Sequence, residues 1–511
     1  MERVRVAVVG GGSVATSFIF HLVRARQSAQ SAVHELDVLV FESNETIGRG
    51  AAYADDADTN LLNVTAGSMS VAENDRLHFF RWLQRHSITH FNGTEIAHDT
   101  FLPRPLFGQY LEDVYQEACA IGTTLGVHIR HIRETVLDVE AGTPNGYKIT
   151  TDKQRHLAEH VVLSIGNLAS TTFETLRGEA GYFDSPYPVR TLVKGIAADA
   201  TVCVLGTSLS AIDAVVALVD AGHMGKVYCV SRNGRLPSVR GLKNRPITLS
   251  PRLLAALSTG NLSDRHLTLS EAIRLLADEM THHGIDFSEV VNLQAPPPNA
   301  SSYLDQEISL SSTRPRQWQS LGNALNAVVD AIWQQLDDPE RERFDATLRS
   351  IWMARRVTFP IENAKKLQTL LRSERLQVMQ GFRSIKRTSE SSSRYSIKFQ
   401  DGREIEADVI VNATSFSADT TRSDSPLLRG LLTRGDAAPH RFGGLAVDFA
   451  SGNLIRSDGS VDAGISVLGT MSAGTYFWTN AMDVNARLAQ GVAERLVQTL
   501  SKSPRQAECA F

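Results

Sequence analysis

A strand-like run that ends in three glycines opens the chain and constrains its fold more than any other feature. Val4 to Val9 is a continuous apolar run, which predicts a buried parallel strand. Gly10, Gly12 and Ala15 follow in the spacing Gly-x-Gly-x-x-Ala. Gly10 permits a tight turn, Gly12 lets the backbone approach a pyrophosphate, and Ala15 lets helix and strand pack closely. The fingerprint predicts a dinucleotide-binding βαβ unit, with Ser13 also in the cofactor site.

The next predicted strand runs from Leu36 and ends at Glu42, whose carboxylate is placed to accept a hydrogen bond from a ribose hydroxyl. Glu42 lies somewhat farther along the chain than the usual ~20 residues, so the intervening helix and loop must be long. A glycine-rich turn without a ligand is the alternative. The order of strand, glycines, helix, strand and acid favours the nucleotide.

The same design is repeated around Gly206, which ends a second apolar strand. Ser208 replaces the second glycine and crowds the approach of a pyrophosphate, and Ser210 follows at the helix start. Ser231 and Arg232 end the partner strand and suit a ribose 2′-phosphate, which favours NADPH over NADH. The alternative is a structural half that no longer binds a nucleotide.

Two further segments, Val127–Asn167 and Leu376–Phe416, mirror each other. Each begins with a strand, continues through a hairpin with a polar turn (residues 143–146 and 391–394) and ends in a buried strand. Two nucleotide folds with such crossovers are the plan of flavoproteins with two dinucleotide domains. The predicted fold class is α/β, with two Rossmann-like dinucleotide-binding domains, β-meander crossovers and a helical insertion.

A third predicted strand, residues 464–469, completes the set. It is followed by Gly474 and by a helix predicted from about Thr479 to Leu500. Gly469 and Gly474 are assigned to the cofactor site, because a helix N-terminus here would stabilise negative charge on a reduced flavin ring.

Three blocks carry a family resemblance: Gly48-Arg-Gly-Ala-Ala-Tyr53, Leu61-Leu-Asn63 and Phe101-Leu-Pro-Arg104-Pro-Leu-Phe-Gly-Gln-Tyr-Leu111. Together with the fingerprints and their order, they resemble the bacterial FAD/NAD(P)-binding family that includes FAD-dependent urate hydroxylase and the aspartate N-hydroxylase that makes nitrosuccinate. The resemblance covers most of residues 1–240 and 350–500, and it implies FAD in the first domain and a nicotinamide nucleotide in the second. Ser208 and Ser415 depart from the glycines of the family pattern.

The blocks supply further candidate site residues. Gly48, Arg49 and Gly50 are assigned to the cofactor, since glycines permit unusual dihedral angles and close backbone approach. The amide of Asn63 can donate to and accept from the flavin ring or the substrate. Arg104 can pair with a phosphate or a substrate carboxylate, or it can hold a loop through a salt bridge. Asn63 and Arg104 are the candidate catalytic residues.

Between the nucleotide elements the pattern turns helical, with apolar periodicity over residues 269–283 and 321–336 and a proline-rich loop over residues 293–302. We expect this insert to shape the substrate cavity, with Trp352, Arg355 and Arg356 lining it at its return. A solvated helix face is the alternative for the two arginines. The predicted domains are residues 1–195 (FAD, first part), 196–245 with 351–380 (NAD(P)H), 246–350 (insert) and 381–511 (return to the FAD domain).

Composition limits the function classes. The 511 residues carry 52 Lys and Arg against 56 Asp and Glu, a net charge of −4, which gives no sign of nucleic-acid or membrane-surface binding. Four cysteines without a CxxC pair argue against a disulfide framework, a zinc knuckle or a redox disulfide. The N-terminus enters a strand at once without a signal peptide, so a cytoplasmic protein is expected.

The resemblance implies a monooxygenase that uses NAD(P)H, O2 and FAD to hydroxylate a small nitrogen-containing metabolite, at an amine, an amino acid or a purine-type ring. NAD(P)H reduces the flavin, oxygen adds at its C4a atom, and a nucleophilic substrate takes the distal oxygen of this C4a-(hydro)peroxyflavin. The alternatives are an FAD oxidase or dehydrogenase without oxygen insertion and a flavin-binding protein without turnover. No metal is expected, and neither the substrate nor the oligomeric state follows from the sequence.

Overall fold

The computed structural model describes residues 3–29, 34–142, 146–242, 244–258, 266–291, 299–388, 394–414 and 416–502. In chain order the strands are β1 (Arg3–Val9), β2 (Glu35–Phe41), β3 (His90–Phe91), β4 (Thr94–Glu95), β5 (Val127–Ile132), β6 (Val136–Gly142), β7 (Gly146–Thr151), β8 (Arg155–Ala158), β9 (His160–Leu163), β10 (Tyr182–Phe183), β11 (Val202–Leu205), β12 (Val227–Val230), β13 (Ser238–Val239), β14 (Thr358–Phe359), β15 (Leu376–Met379), β16 (Phe382–Arg387), β17 (Tyr395–Phe399), β18 (Glu404–Ala407), β19 (Val409–Asn412), β20 (Asn453–Ile455) and β21 (Val461–Val467).

The helices, again in chain order, are α1 (Ser13–Ser28), α2 (His78–Arg85), α3 (Arg104–Thr124), α4 (Val189–Lys194), α5 (Leu209–Asp220), α6 (Pro251–Ser258), α7 (Leu269–His282), α8 (Ser288–Val291), α9 (Ala300–Thr313), α10 (Gln317–Ala324), α11 (Val329–Gln335), α12 (Asp338–Thr347), α13 (Arg349–Arg356), α14 (Ile361–Arg372), α15 (Pro426–Arg434), α16 (Ala473–Tyr476) and α17 (Met482–Lys502).

The chain forms two compact units. The first unit comprises Met1–Asp55, Thr65–Ala169 and Ser417–Phe511, and the second comprises Asp56–Val64 and Ser170–Phe416. The chain therefore changes unit at 55/56, 64/65, 169/170 and 416/417, which differs from the predicted domain limits. The predicted limits also assign FAD and NAD(P)H to particular segments, and that assignment stays a prediction.

The sheet of the first unit has the strand order β20-β21-β9-β1-β2-β5. All neighbours pair in parallel except the edge strand β20, which is antiparallel to β21. Val6 and Val8 of β1 are fully buried and pack with Phe18 and Leu22 of α1 and with Val492 of α17. The continuous apolar run arises because helices cover a central parallel strand.

The sheet of the second unit has the order β10-β19-β11-β12-β15, and every pair is parallel. The order β9-β1-β2-β5 of the first sheet thus recurs as β19-β11-β12-β15 in the second. A three-stranded antiparallel meander precedes the return strand in each case, β6-β7-β8 before β9 and β16-β17-β18 before β19. The predicted fold class is confirmed. The turn residues 143–145 and 391–393, and Ser415, lie outside the described residues.

The insert leaves and re-enters the second unit at one place. β13 precedes it and β14 follows it, and these two strands pair in parallel through Ser238 with Thr358 and Val239 with Phe359. Helices α6 to α13 lie between them, so the helical character predicted for this region is confirmed.

The structure adds detail to two parts of the insert. The apolar periodicity over 321–336 spans more than one helix, because α10 ends at Ala324 and a 3₁₀ turn, Leu325–Ala327, precedes α11. Gly322, Asn323 and Asn326 are weak helix formers, which accounts for the break. The predicted loop also extended too far, since Asn299 accepts a hydrogen bond from Ser302 N at 2.7 Å and begins α9 at Ala300. Residues 293–298 of that loop are not described.

Candidate functional site

In the glycine turn after β1, Gly10 is required by the fold itself, whereas Gly12 is not. Gly10 has φ +97°, and a Cβ there would overlap the carbonyl oxygen of Ser164, so the fold itself requires glycine. Gly12 has an ordinary φ of −83°, and a Cβ there would meet only the Cα of Gly50, at 3.6 Å. Among the residues that the structure describes, no contact requires glycine at position 12. The space beside it fits the close approach of a pyrophosphate.

The first turn of α1 continues this cradle. Gly12 is the N-cap of the helix, no side chain caps it, and the first turn holds no acidic residue. The helix N-terminus therefore keeps its partial positive charge for an anion. Ser13 is half-buried, whereas Ala15 is fully buried and packs against the sheet, as predicted.

Glu42 stands directly after β2, next to the glycine turn. One carboxylate oxygen accepts a hydrogen bond from Gly11 N at 3.1 Å, and the other accepts from Asn44 N at 3.0 Å and Asn44 Nδ2 at 2.7 Å. These hydrogen bonds hold the carboxylate against the glycine turn. Helix α1 continues to Ser28 and so occupies much of the long interval between Ala15 and Glu42. The ribose contact itself stays a prediction.

The loop after Glu42 packs on α3. Gly48 has φ +121°, and its Cβ would lie 2.8 Å from Glu112 N. Arg49 pairs with the Glu112 carboxylate in a bidentate manner, with Nε–Oε1 and Nη2–Oε2 both 2.8 Å. These hydrogen bonds raise the pKa of the Arg49 guanidinium. Arg49 thus holds the loop against α3 through Glu112, a residue that the sequence pattern did not single out. The predicted contact of Arg49 with the cofactor stays a prediction.

Gly50 stands opposite Gly12 and has φ +52°, a backbone conformation that favours glycine. A Cβ at Gly50 would lie 3.1 Å from the Cα of Gly12. The two glycines therefore keep both walls of this gap free of side chains.

Arg104 is the first residue of α3 and is half-buried. It lies near Tyr53, whose pKa is raised to about 12 by burial, while the charge of Arg104 acts in the opposite direction. Phe107 is fully buried and contacts the Tyr53 ring at a centroid distance of 4.9 Å, so it is part of the core. The roles considered for Arg104, with a phosphate, a carboxylate or a loop, stay predictions.

The turn after β21 also reaches the glycine cradle. Gly469 has φ +78°, and a Cβ there would lie 3.4 Å from the side chain of Val14 in the first turn of α1. Thr470 Oγ1 donates to the carbonyl oxygen of Gly166 at 2.6 Å. Gly474 has a packing reason of its own, since a Cβ there would overlap the ring of His440. Their assignment to the cofactor stays a prediction.

In the second unit the turn after β11 repeats this geometry. Gly206 has φ +134°, and a Cβ there would lie 2.7 Å from the carbonyl oxygen of Ala413. Ser208 is the N-cap of α5 with φ −97° and ψ −163°, close to the −83° and −165° of Gly12. Ser208 adopts this backbone without strain, is exposed and does not cap the helix. Ser210 is half-buried in the first turn, which has no acidic residue.

The two residues after β12 differ in what they contact. Ser231 lies 3.1 Å from Thr207 Oγ1, hydroxyl to hydroxyl, and accepts from Gly234 N at 2.9 Å, so it ties the second turn to the next loop. Arg232 is exposed, and its side chain makes no hydrogen bond or ion pair with the part of the chain that the structure describes. Arg232 is therefore the better placed of the two for a 2′-phosphate.

Asn63 belongs to a short segment, residues 56–64, that forms part of the second unit. Asp56 anchors the segment, because its carboxylate accepts from Val189 N at 2.8 Å and Arg190 N at 3.0 Å. The carbonyl oxygen of Asn63 accepts from Arg240 Nη2 at 3.4 Å. Asp56 and Arg240 lie outside the sequence motifs, and the role of the Asn63 amide stays a prediction.

The residues predicted to line the substrate cavity have different surroundings. Arg355 is 7% exposed and donates to Ser238 Oγ at 2.5 Å and to Glu307 Oε1 at 3.5 Å. Arg356 is half-buried and contacts the amide oxygens of Asn323 and Asn326 in the insert. These contacts indicate a structural role for Arg355, and neither arginine is a solvated helix face. Trp352 lies edge-on to Phe344 at 6.3 Å, and its cavity role stays a prediction.

Within the described ranges, no group of His, Cys, Asp and Glu could hold a metal ion, and no helix is long and apolar enough to cross a membrane. His283 contacts Glu279 at 3.1 Å, and Cys119, Cys203 and Cys229 are free thiols.

Residues 7–168 match the model of a FAD-NAD(P)-binding family, which agrees with the expected resemblance for that part of the chain. No curated protein matches the sequence.

The fold is similar to solved flavoenzyme structures over nearly the whole chain. L-lysine 6-monooxygenase from Pseudomonas syringae is 17% identical, with a TM-score of 0.56 over 97% of this chain and 99% of that one. Ornithine hydroxylase from Pseudomonas aeruginosa is 13% identical, with a TM-score of 0.55 over 98% and 100%. Ornithine N-hydroxylase from Kutzneria sp. 744 is 14% identical, with a TM-score of 0.52 over 97% and 98%.

Proposed function

We propose that this chain is an FAD-dependent monooxygenase that takes electrons from NADPH and hydroxylates the nitrogen of a small amine metabolite. The observation that carries the proposal is the pair of nucleotide cradles of one design, one in each unit, where Gly12 leaves space that the protein does not fill. The fold likeness to lysine and ornithine hydroxylases over nearly the full chain supports N-hydroxylation.

The chain's own residues bind and orient the nucleotides. The open backbone at Gly12 and the uncapped N-terminus of α1 hold a pyrophosphate, and Glu42 accepts from a ribose hydroxyl. In the second unit the N-terminus of α5 holds the phosphates of the second nucleotide, and Arg232 pairs with its 2′-phosphate. When bound, FAD supplies the electron transfer and the oxygen activation.

The candidate catalytic residues act on the substrate by orientation. The Asn63 amide offers both a donor and an acceptor, and Arg104 at the start of α3 offers a positive charge for a phosphate or a carboxylate. We assign neither residue a proton-transfer step, because an amide does not titrate and an arginine stays protonated at neutral pH.

Stopped-flow spectroscopy with product analysis tests the proposal. The FAD-loaded protein is mixed with NADPH, then with oxygen, in the presence of a panel of small amines that includes L-lysine, L-ornithine and acidic amino acids. We expect NADPH to bleach the oxidised flavin, and one amine to convert oxygen uptake into a hydroxylamine product. Mass spectrometry detects that product, and a peroxide assay measures the oxygen that is not used for it.

Other results would support a different function. Reduction of the flavin by the substrate itself, without NADPH, indicates an oxidase or dehydrogenase. A flavin that no electron donor reduces indicates a binding protein without turnover. We place the protein in the cytoplasm, and fractionation of cells that express it tests this placement.

A further inference from the structure

Three arginines near the base of the insert are buried, and a single buried carboxylate forms ion pairs with two of them. Arg316, Arg355 and Arg240 are 4%, 7% and 8% exposed. Glu307, itself 3% exposed, pairs with Arg316 through Nη1–Oε2 at 2.5 Å and Nη2–Oε1 at 3.0 Å, and with Arg355 at 3.5 Å. This shared carboxylate explains why two of the three buried charges are tolerated.

Arg240 has no such partner. No carboxylate in the described parts of the chain pairs with it, its Nε is buried without a hydrogen-bond partner, and its only side-chain bond is the 3.4 Å contact with the carbonyl of Asn63. Burial, followed by the positive charge of Arg356, lowers the pKa of Arg240 to about 10. The guanidinium stays charged at neutral pH with most of its five donors unused, a costly state for a fold to keep without a ligand.

The position of Arg240 separates it from the nucleotide motifs. It follows β13, and its backbone N–H donates to the carbonyl of Phe359 in β14 at 3.0 Å, so the two strands that join the insert to the unit hold it in place. The next residue, Gly241, donates its N–H to Gln319 in α10 at 2.9 Å. The backbone at Arg240 and Gly241 is thus held by β14 and α10, and not by the glycine turn after β11.

We propose that Arg240, with Arg356 beside it, is the binding site for a carboxylate of the amine substrate. The inference rests on the proposed function in one respect: it takes the bound carboxylate to be part of the amine substrate. A carboxylate matches the planar fork of a guanidinium in a bidentate pair and neutralises the buried charge. A nucleotide phosphate offers the same oxygen chemistry, so the experiment distinguishes these two sources.

Thermal unfolding of the FAD-loaded protein tests the site without requiring turnover. Acetate, succinate, L-alanine, L-glutamate and L-lysine are each added at constant ionic strength and compared with their carboxamides. We expect at least one carboxylate to raise the melting temperature by about 2–4 °C, while its amide has no effect. Arg240→Met should weaken this carboxylate by at least about tenfold, and Arg240→Lys should weaken it less.

A matched control comes from the neighbouring buried arginine. Without ligand, Arg240→Met should melt no lower than the wild type, because it removes an unpaired buried charge, whereas Arg355→Met should melt lower because Arg355 pairs with Glu307. The affinity for NADP⁺ should be unchanged in Arg240→Met. The proposal is overturned if no carboxylate stabilises the wild type, if Arg240→Met melts as low as Arg355→Met, or if Arg240→Met loses NADP⁺ binding instead. If these binding tests succeed but the protein hydroxylates no amine, the carboxylate site stands and only the proposed function is wrong.

Discussion

The carboxylate of Glu42 accepts a hydrogen bond from the backbone N–H of Gly11 at 3.1 Å. This bond joins the residue after β2 to the turn after β1, so the acid predicted to bind a ribose is held directly against the turn predicted to bind a pyrophosphate. A Cβ at Gly11 would lie 2.7 Å from the Glu42 Cβ and 2.6 Å from the side chain of Ile47, which explains the glycine between the two fingerprint glycines.

Gly10 and Gly12 should respond differently to substitution. Gly12→Ala should fold with a near wild-type melting temperature as apoprotein and lose FAD, because its Cβ fits the protein but occupies the space of the pyrophosphate. Gly10→Ala should fold poorly, since its Cβ meets the Ser164 carbonyl and its φ is +97°. FAD content after heat release and apoprotein melting curves measure both effects. Full FAD occupancy in Gly12→Ala, or release of FMN from the wild type, would contradict the assignment.

Arg232 should determine the preference for NADPH. Arg232→Ala should lower the NADPH/NADH ratio of kcat/KM by about ten- to a hundredfold, the scale of a charge-assisted contact of ~1.5–3 kcal/mol. Arg383→Ala, an exposed arginine on β16 of the same unit, is the control and should leave the ratio unchanged. An unchanged ratio in Arg232→Ala would show that another group reads the 2′-phosphate.

The Arg49–Glu112 pair should act as one structural unit. If Arg49 clasps the loop, Arg49→Ala and Glu112→Ala should weaken FAD binding to a similar degree, and the double variant should be little worse than either, because both break the same bidentate contact. FAD dissociation constants for the three variants measure this coupling. Loss of FAD in Arg49→Ala alone would indicate instead that Arg49 contacts the cofactor directly.

Glu307 should be essential to the stability of the insert. Glu307→Gln leaves Arg316 and Arg355 buried without a counter-charge and should cost about 3–5 kcal/mol in the free energy of unfolding, measured in urea. Asp305→Asn on the same helix is the control. Its partner Arg372 is 60% exposed on the side chain, so the loss should stay below about 1 kcal/mol. Equal losses in the two variants would contradict a buried network.

Much of the fold was predictable because its signals are local. The apolar run of β1, the glycine turns and the duplicated meander pattern each depend on neighbours in the chain, and the structure has all of them. The helix predicted from about Thr479 begins at Met482, and the strand predicted over 464–469 is β21. In the insert the differences lie at helix boundaries. Weak helix formers end α10 at Ala324, and the N-cap residue Asn299 starts α9 earlier than the apolar pattern indicates.

The candidate site was predictable only in part. Gly12 and Glu42 follow from a motif whose spacing reflects the geometry of one βαβ unit. Arg240 has no such motif, and nothing in the sequence distinguishes it from Arg355, although one lacks a carboxylate partner and the other has Glu307.

The two dinucleotide folds follow from local sequence signals, because the period of apolar residues and the placement of glycines control the backbone over short stretches. Which charges are paired depends on contacts between distant parts of the chain. Arg49 with Glu112 and Arg355 with Glu307 are separated along the chain, whereas Arg240 pairs with no acid among the residues that the structure describes. The energy of a buried charge depends on which groups the fold brings within a few ångströms of it, and that distance is a property of the folded chain.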